Sequence, residues 1–169
     1  MDYVDVVDED DKVVGKVPKD EAHKIGLLHR TVIAEVIGSD GNWTLIKQSH
    51  DRQDAGKIVS PVGGHVESGE TEDEAIKREA DEEYGLRGDV NLKLKGKAIY
   101  NREVIGRKEN HYFILYEIYS DEKPRLNTES IGFKRFSKEK LAEELKSKPE
   151  KFGAAFHFVI KRFYPELLE

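Results

Sequence analysis

Residues Ser60 to Leu86 read SPVGGHVESGETEDEAIKREADEEYGL, and the pattern of this stretch decides the fold. Thr71, followed three residues later by Glu74, is a capping box: each side chain can satisfy a backbone N–H that the first helical turn leaves open. Gly85 suits the left-handed residue that ends a helix. The spacing therefore predicts a helix from about Glu72 to Tyr84, entered through a loop rich in glycine and acid. At about 100° per residue, Ile76, Ala80 and Tyr84 form an apolar stripe that should face a core. Glu79, Glu82 and Glu83 then share a neighbouring face, with Glu79 and Glu83 nearest the stripe. Such a face is often simply solvated. It also suits a hard divalent cation such as Mg²⁺, which offsets like-charge repulsion and leaves positions open for phosphate oxygens and a nucleophilic water.

Strands are expected on both sides of this segment. Tyr3 to Val7 and Lys12 to Val17 flank the acidic turn Asp8 to Asp11, and Pro18 opens a short helix through Glu21, Ala22 and His23. Thr31 to Ile37 is β-branched and apolar, and Ser39-Asp40-Gly41 turns it into Trp43 to Ile46. Gln48 to Lys57 is polar and reads as a loop. Beyond the glutamate helix, Leu92 to Val104 and His111 to Tyr119 read as strands around Ile105-Gly106-Arg107, with a further strand at Phe133 to Phe136. Glu139 to Leu145 and Phe152 to Phe163 read as helices. In the second, Phe152, Ala155, Phe156, Val159, Ile160 and Phe163 make a helical stripe. Hairpins alternating with separate helices indicate a mixed α/β sandwich of α+β class.

The 169 residues fit one domain spanning 1–169, opened by a hairpin and short helix over 1–29. Hydrophobic and charged residues each make up 37%, which describes a well-charged globular chain, and the apolar runs are too short to span a bilayer. No basic-then-apolar leader follows Met1, and the expected location is the cytoplasm. The absence of cysteine excludes disulfides, a thiol nucleophile and thiolate metal sites. A net charge of −6 argues against a nucleic-acid partner. The basic residues Lys134, Arg135, Lys138, Lys140, Lys161 and Arg162 read as parts of solvated surfaces. The oligomeric state stays open, a homodimer included.

The segment resembles the Nudix box, G-x5-E-x7-R-E-U-x-E-E-x-G-U with U apolar. The matching residues are Gly64, Glu70, Arg78, Glu79, Ala80, Glu82, Glu83, Gly85 and Leu86. This resemblance implies a Nudix-type α/β/α sandwich with a mixed sheet and a catalytic loop–helix–loop over 64–86. It implies Mg²⁺ or Mn²⁺ held by Glu79, Glu82 and Glu83, with a backbone carbonyl from Gly64 or Gly63 and a further glutamate from a later loop, for which Glu129 is the candidate. It implies an Arg78–Glu70 salt bridge fixing the loop, and Glu82 or Glu83 orienting or deprotonating the water. The implied activity is pyrophosphohydrolase: cleavage of a diphosphate linkage in a nucleoside diphosphate derivative or similar small molecule. Arg52, Lys57 and Arg102 are candidate contacts for its phosphates, with solvated surface as the other reading.

VDVVDEDDKVVGKVPKDEAHKIGLLHR, SPVGGHVESGE and KENHYF together resemble the branch of the superfamily that contains isopentenyl diphosphate isomerase. In those isomerases, two N-terminal histidines, a Gly-His pair and a Glu-Asn-Glu segment hold a second metal. His23, His29, Gly64-His65 and Glu109-Asn110 correspond here, and with His111 they are candidates for a second metal site or a phosphate contact. Gly63 stands where the isomerases carry their catalytic cysteine, and His111 replaces their second glutamate. The acid–base pair is gone while the box glutamates are complete, which favours hydrolysis over an isomerase-like reaction or a non-catalytic binding domain. His50 and His157 read as structural, and Trp43 as core.

Overall fold

Alternation of Val32, Ala34 and Val36 with Thr31, Ile33 and Glu35 builds the central strand, β3 (His29–Ile37). In the computed structural model, which describes residues 2–49, 55–104, 107–126 and 130–169 (side chains at 102–104, 107 and 109 excepted), β3 is paired along both edges. On one edge lies β8 (Arg107–Tyr119), parallel and in register from His29↔His111 to Ile37↔Tyr119. Along the other edge run three antiparallel segments in succession. They are β1 (Tyr3–Val7), β6 (Val62–His65) and β4 (Trp43–Gln48). β2 (Val13–Pro18) pairs β1, β7 (Leu92–Val104) pairs β8, and β5 (Ile58–Val59) and β9 (Ser130–Phe136) both pair β4.

The two faces of this mixed sheet carry separate cores. Val32, Ala34, Val36, Val62, Ile114, Tyr116 and Ile118 pack against Ala75, Ile76, Ala80 and Tyr84 of the glutamate helix. Ile33, Leu45, Leu115 and Trp43 pack on the other side against α3 (Lys138–Ser147) and α4 (Ala154–Phe163). α1 (Lys19–Ile25) packs against β8, β1 and β2 and ends at Gly26 in the left-handed conformation. The arrangement is the expected α/β/α sandwich of α+β class, with the sheet as the middle layer. Among the described residues, no helix is long and apolar enough to cross a membrane.

Two expectations need correction, and one short strand was not anticipated. Val62 to His65 is a strand, not part of the loop, because β3 offers it an open edge for pairing. Ile58–Val59 adds another short strand just after the polar stretch. The glutamate helix is α-helical only as α2 (Glu72–Glu79) and continues through Ala80–Tyr84 as a π-helical turn. The expected turn residues Ile105 and Gly106 lie outside the described residues.

Candidate active site and a histidine cluster

The capping box forms as the spacing predicts. Thr71 Oγ1 accepts from Glu74 N at 3.1 Å, and the Glu74 carboxylate accepts from Thr71 N at 3.0 Å. With the helix start fixed, Ile76, Ala80 and Tyr84 turn to the sheet and are essentially inaccessible. The carboxylates follow on the flank. The Glu79 side chain is 12% exposed and that of Glu82 is 60% exposed. A π turn holds more residues per revolution than an α turn, so Glu82 falls short of stacking over Glu79 and leans into solvent. Partial desolvation and then the charge of Glu79 raise the Glu82 pKa above the ordinary carboxylate value.

Strand β6 lies directly against this flank. A Cβ at Gly64 would sit 2.3 Å from the Glu79 carboxyl carbon, so the carboxylate occupies the space a side chain would fill. Gly63 N donates to Glu83 Oε1 at 3.2 Å. Gly63 and Gly64 thus bring the strand backbone against two of the three glutamates.

Arg78 organises the loop. It holds Glu70 with two bonds, Nε to Oε2 at 2.8 Å and Nη2 to Oε1 at 3.0 Å. The Glu70 pKa is lowered, chiefly by these hydrogen bonds, and that of Arg78 is raised by the same contact. Arg78 also donates from Nη2 to the carbonyl of His65 at 3.0 Å and from Nη1 to Glu79 Oε1 at 2.6 Å, and its Nη1 lies 3.7 Å from Glu82 Oε2. The sequence reading paired Arg78 with Glu70 alone; the guanidinium in fact serves three carboxylates and a strand carbonyl.

On the opposite face of β6, four histidines converge. His23 comes from α1, His29 from the start of β3, His65 from the end of β6 and His111 from β8. Their ligand atoms all lie within 4.8 Å of one another. His23 Nε2 is 3.1 Å from His65 Nε2 and 3.4 Å from His111 Nε2. His29 Nδ1 lies 2.8 Å from the carbonyl of Leu27. Strand register creates the cluster: His29 pairs with His111, and Thr31 pairs with His65.

Lys57 is half-buried at the start of β5, its carbonyl bonded to Gln48 N. Arg52, Glu129 and His50, and the side chains of Arg102 and Glu109, lie outside the described residues. His157, read as structural, has Nε2 2.7 Å from the Pro149 carbonyl. Sequence reading missed Glu35, fully buried on β3 and hydrogen-bonded by the Ser60 hydroxyl, with burial pushing its pKa up to about 8. Its signal was present: by strand alternation, Glu35 shares the inward face of Ile33.

Residues 27–156 match the NUDIX domain family, which covers most of the chain and includes every glutamate of the acidic flank. The chain belongs to the Nudix family. An uncharacterized Nudix hydrolase of Nostoc sp. is 34% identical over 136 residues, 75% of each chain. One from Streptomyces coelicolor is 38% identical over 123 residues, which span 69% of this chain and 64% of the relative. The likeness to isomerases is also real at lower identity. The isopentenyl-diphosphate Delta-isomerase of Pectobacterium atrosepticum is 26% identical over 161 residues, 93% of this chain and 88% of that one. Among solved structures, a Deinococcus radiodurans protein superposes with a TM-score of 0.77 at 26% identity, covering 96% of this chain and 99% of its own. The Nudix fold and the hydrolase class expected from the box agree with these relatives.

Proposed function

We propose that this Nudix protein is a divalent-metal-dependent pyrophosphohydrolase acting on a small diphosphate, such as a nucleoside diphosphate linked to a second group. The observation that carries the reading is the meeting of Glu79 and Glu83 with the side-chain-free strand Gly63-Gly64, on a flank that Arg78 and Glu70 hold in place. Mg²⁺ or Mn²⁺ fits this donor set: the carboxylates are hard oxygen ligands, and the missing Cβ at Gly64 leaves the backbone within reach of the same space. Glu79, Glu82 and Glu83 would hold the ion, with a carbonyl from Gly64 and a carboxylate from Glu129. When bound, such an ion neutralises charge that develops on diphosphate oxygens.

The chain's own groups do the rest. A carboxylate oxygen of Glu82 or Glu83 orients the attacking water and takes its proton as the water oxygen bonds to phosphorus and the bridging P–O bond breaks. Arg78 keeps Glu79 in place. Arg52, Lys57 and Arg102 are proposed to steady substrate phosphates. The setting is proposed to be cytoplasmic, since a cysteine-free chain needs no oxidising compartment.

The test is a screen of nucleoside diphosphate derivatives with Mg²⁺, with and without excess chelator, read by product identity. Metal-dependent release of two phosphate-bearing products is expected. Undiminished release in chelator sinks the metal requirement. Isopentenyl diphosphate belongs in the same screen and should not be isomerised, because Gly63 and His111 offer neither the thiol nor the glutamate of the isomerases. Formation of dimethylallyl diphosphate would overturn that reading.

A further inference from the structure

We propose that Asp11, at the tip of the β1–β2 hairpin, is a positioning residue for the acidic site, acting through Lys97 and Glu72 on the loop that carries Glu70. The inference rests on the metal reading of Glu79, Glu82 and Glu83 and adds to it a segment outside the glutamate helix. Asp11 stands within a chain of four charges. Its Oδ1 accepts from Arg30 Nε at 2.7 Å, and its Oδ2 accepts from Lys97 Nζ at 2.7 Å. Lys97 Nζ also donates to Glu72 Oε1 at 2.8 Å, on the first residue of α2. A further bond runs from Arg30 Nη2 to the Asp11 carbonyl at 2.8 Å. Strand register puts the anchors on one face of the sheet: Arg30 lies beside Tyr112, and Lys97 beside Ile114. Tyr112 fastens the same turn, its hydroxyl donating to the Glu9 carbonyl at 3.1 Å.

The backbone at the tip is bent to make this contact. Among the described residues, Asp11 is the only one other than glycine with a positive φ, 64°. Asp and Asn adopt that conformation more readily than other side chains, but at a cost that contacts must offset. Burial pushes the Asp11 pKa up, and the bonds from Lys97 and Arg30 more than reverse it, so the carboxylate is charged at neutral pH. Its side chain is 12% exposed and that of Arg30 17%. Desolvated charge networks are weak sources of net stability, so what this one supplies is a fixed arrangement.

That arrangement is the entry to α2. Among the described residues, β1 meets β3 only at Val6↔His29, and the tip contacts add to this short pairing. Further along the hairpin, Ser68 N donates to the Tyr3 carbonyl at 2.8 Å, Ser68 Oγ donates to Asp5 Oδ1 at 2.7 Å, and Val4 bridges Glu67. Glu67 N in turn donates at 3.0 Å to Glu70 Oε1, of the carboxylate that holds Arg78. The hairpin therefore grips the loop at Glu67, Ser68 and Glu72, on either side of Glu70. Arg78 passes that placement on to Glu79.

Mn²⁺ binding to the full chain, followed by electron paramagnetic resonance, tests this without any substrate. Binding that Glu79→Gln removes defines the acidic site. Asp11→Asn keeps the side-chain shape and suits the same φ. It should weaken that binding by about 3- to 10-fold, at or below the roughly 10–100-fold that loss of an outer-shell partner costs a metal site. Lys97→Gln should do the same. Asp10→Asn removes the same charge from the exposed neighbour and should leave the affinity unchanged, which separates position from long-range charge. In a Glu70→Gln background the Asp11 change should have a smaller effect, because both residues act along one path; independent losses of stability would simply add. Circular dichroism establishes that each variant is folded, and Asp11→Gly, which relieves the backbone, stands in if Asp11→Asn is not. Unchanged Mn²⁺ affinity in the folded Asp11 and Lys97 variants overturns the proposal and leaves the metal reading intact. So does an equal loss in Asp10→Asn. Mn²⁺ binding that Glu79→Gln leaves untouched overturns the metal reading itself, and the proposal with it.

Discussion

Arg78 divides one guanidinium among Glu70, Glu79 and Glu82, so removing each acid has a different cost. Glu79 sits 2.6 Å from Nη1 and is mostly shielded from solvent, so Glu79→Gln should destabilise the fold by about 1 kcal/mol. Glu82 is largely exposed and 3.7 Å from the same nitrogen, so Glu82→Gln should leave stability within about 0.5 kcal/mol of the parent. Both should lose activity. A ligand that acts on phosphoryl transfer supplies several kcal/mol to the barrier, and each 1.36 kcal/mol is about tenfold, so losses of roughly 10² or more are expected at Glu79. Urea midpoints and rates on the identified substrate check the pair. If both variants keep near-parental rates, the acidic flank is only a solvated surface. Face-counting at 100° per residue does not show this cost at position 79, because the partner that binds Glu79 is its immediate neighbour, Arg78.

At the scale of elements, the glutamate helix was legible and its second half was not. Thr71 and Glu74 announce the start, and the stripe Ile76, Ala80, Tyr84 announces the buried face. Thr71→Ala should therefore cost about 1 kcal/mol, the usual worth of an N-cap, and lower Tm by roughly 2–4 °C. Calorimetry checks this, and an unchanged Tm would mean that the helix start is held by packing alone. Ala80-Asp81-Glu82-Glu83-Tyr84 has no residue that marks a π turn; tertiary packing selects the extra residue, and Gly85 closes the turn at φ 83°. Strand β6 was hidden for a related reason. Val62-Gly63-Gly64-His65 has weak strand propensity, and the open edge of β3 makes it a strand. The histidines are separated by up to 88 positions, and only their likeness to a known pattern grouped them. The registers of β3 with β6 and β8, which bring them together, are long-range properties.

For the molecule as a whole, β3 is the wall between two cores, and it carries a buried acid. Glu35 is fully buried, with a pKa of about 8 against an ordinary 4.5. Burial is the main cause. The Ser60 hydroxyl opposes the shift, and the charge of Glu117, its register partner on β8, adds to it. Between those two pH values the folded chain binds a proton that the unfolded chain has released, so this group lowers stability as pH rises from about 4.5 to about 8, and its effect is level above that. Glu35→Gln keeps an oxygen for Ser60 and removes the titration. Its stability should fall less across that range and exceed the parent by up to a few kcal/mol near the upper end. Denaturant unfolding at several pH values measures this, and parallel curves for the two proteins would refute it. The same two-sided construction has an optical consequence. Trp43, the chain's single tryptophan, is fully buried in the α3–α4 core, edge-on to Tyr164 at 4.8 Å between ring centroids. Its fluorescence therefore watches one side of the wall only, and the glutamate helix is silent in that channel. Comparing emission with far-ultraviolet circular dichroism during unfolding asks whether the two layers melt together. Coincident curves would mean that the sheet couples both layers into a single cooperative unit.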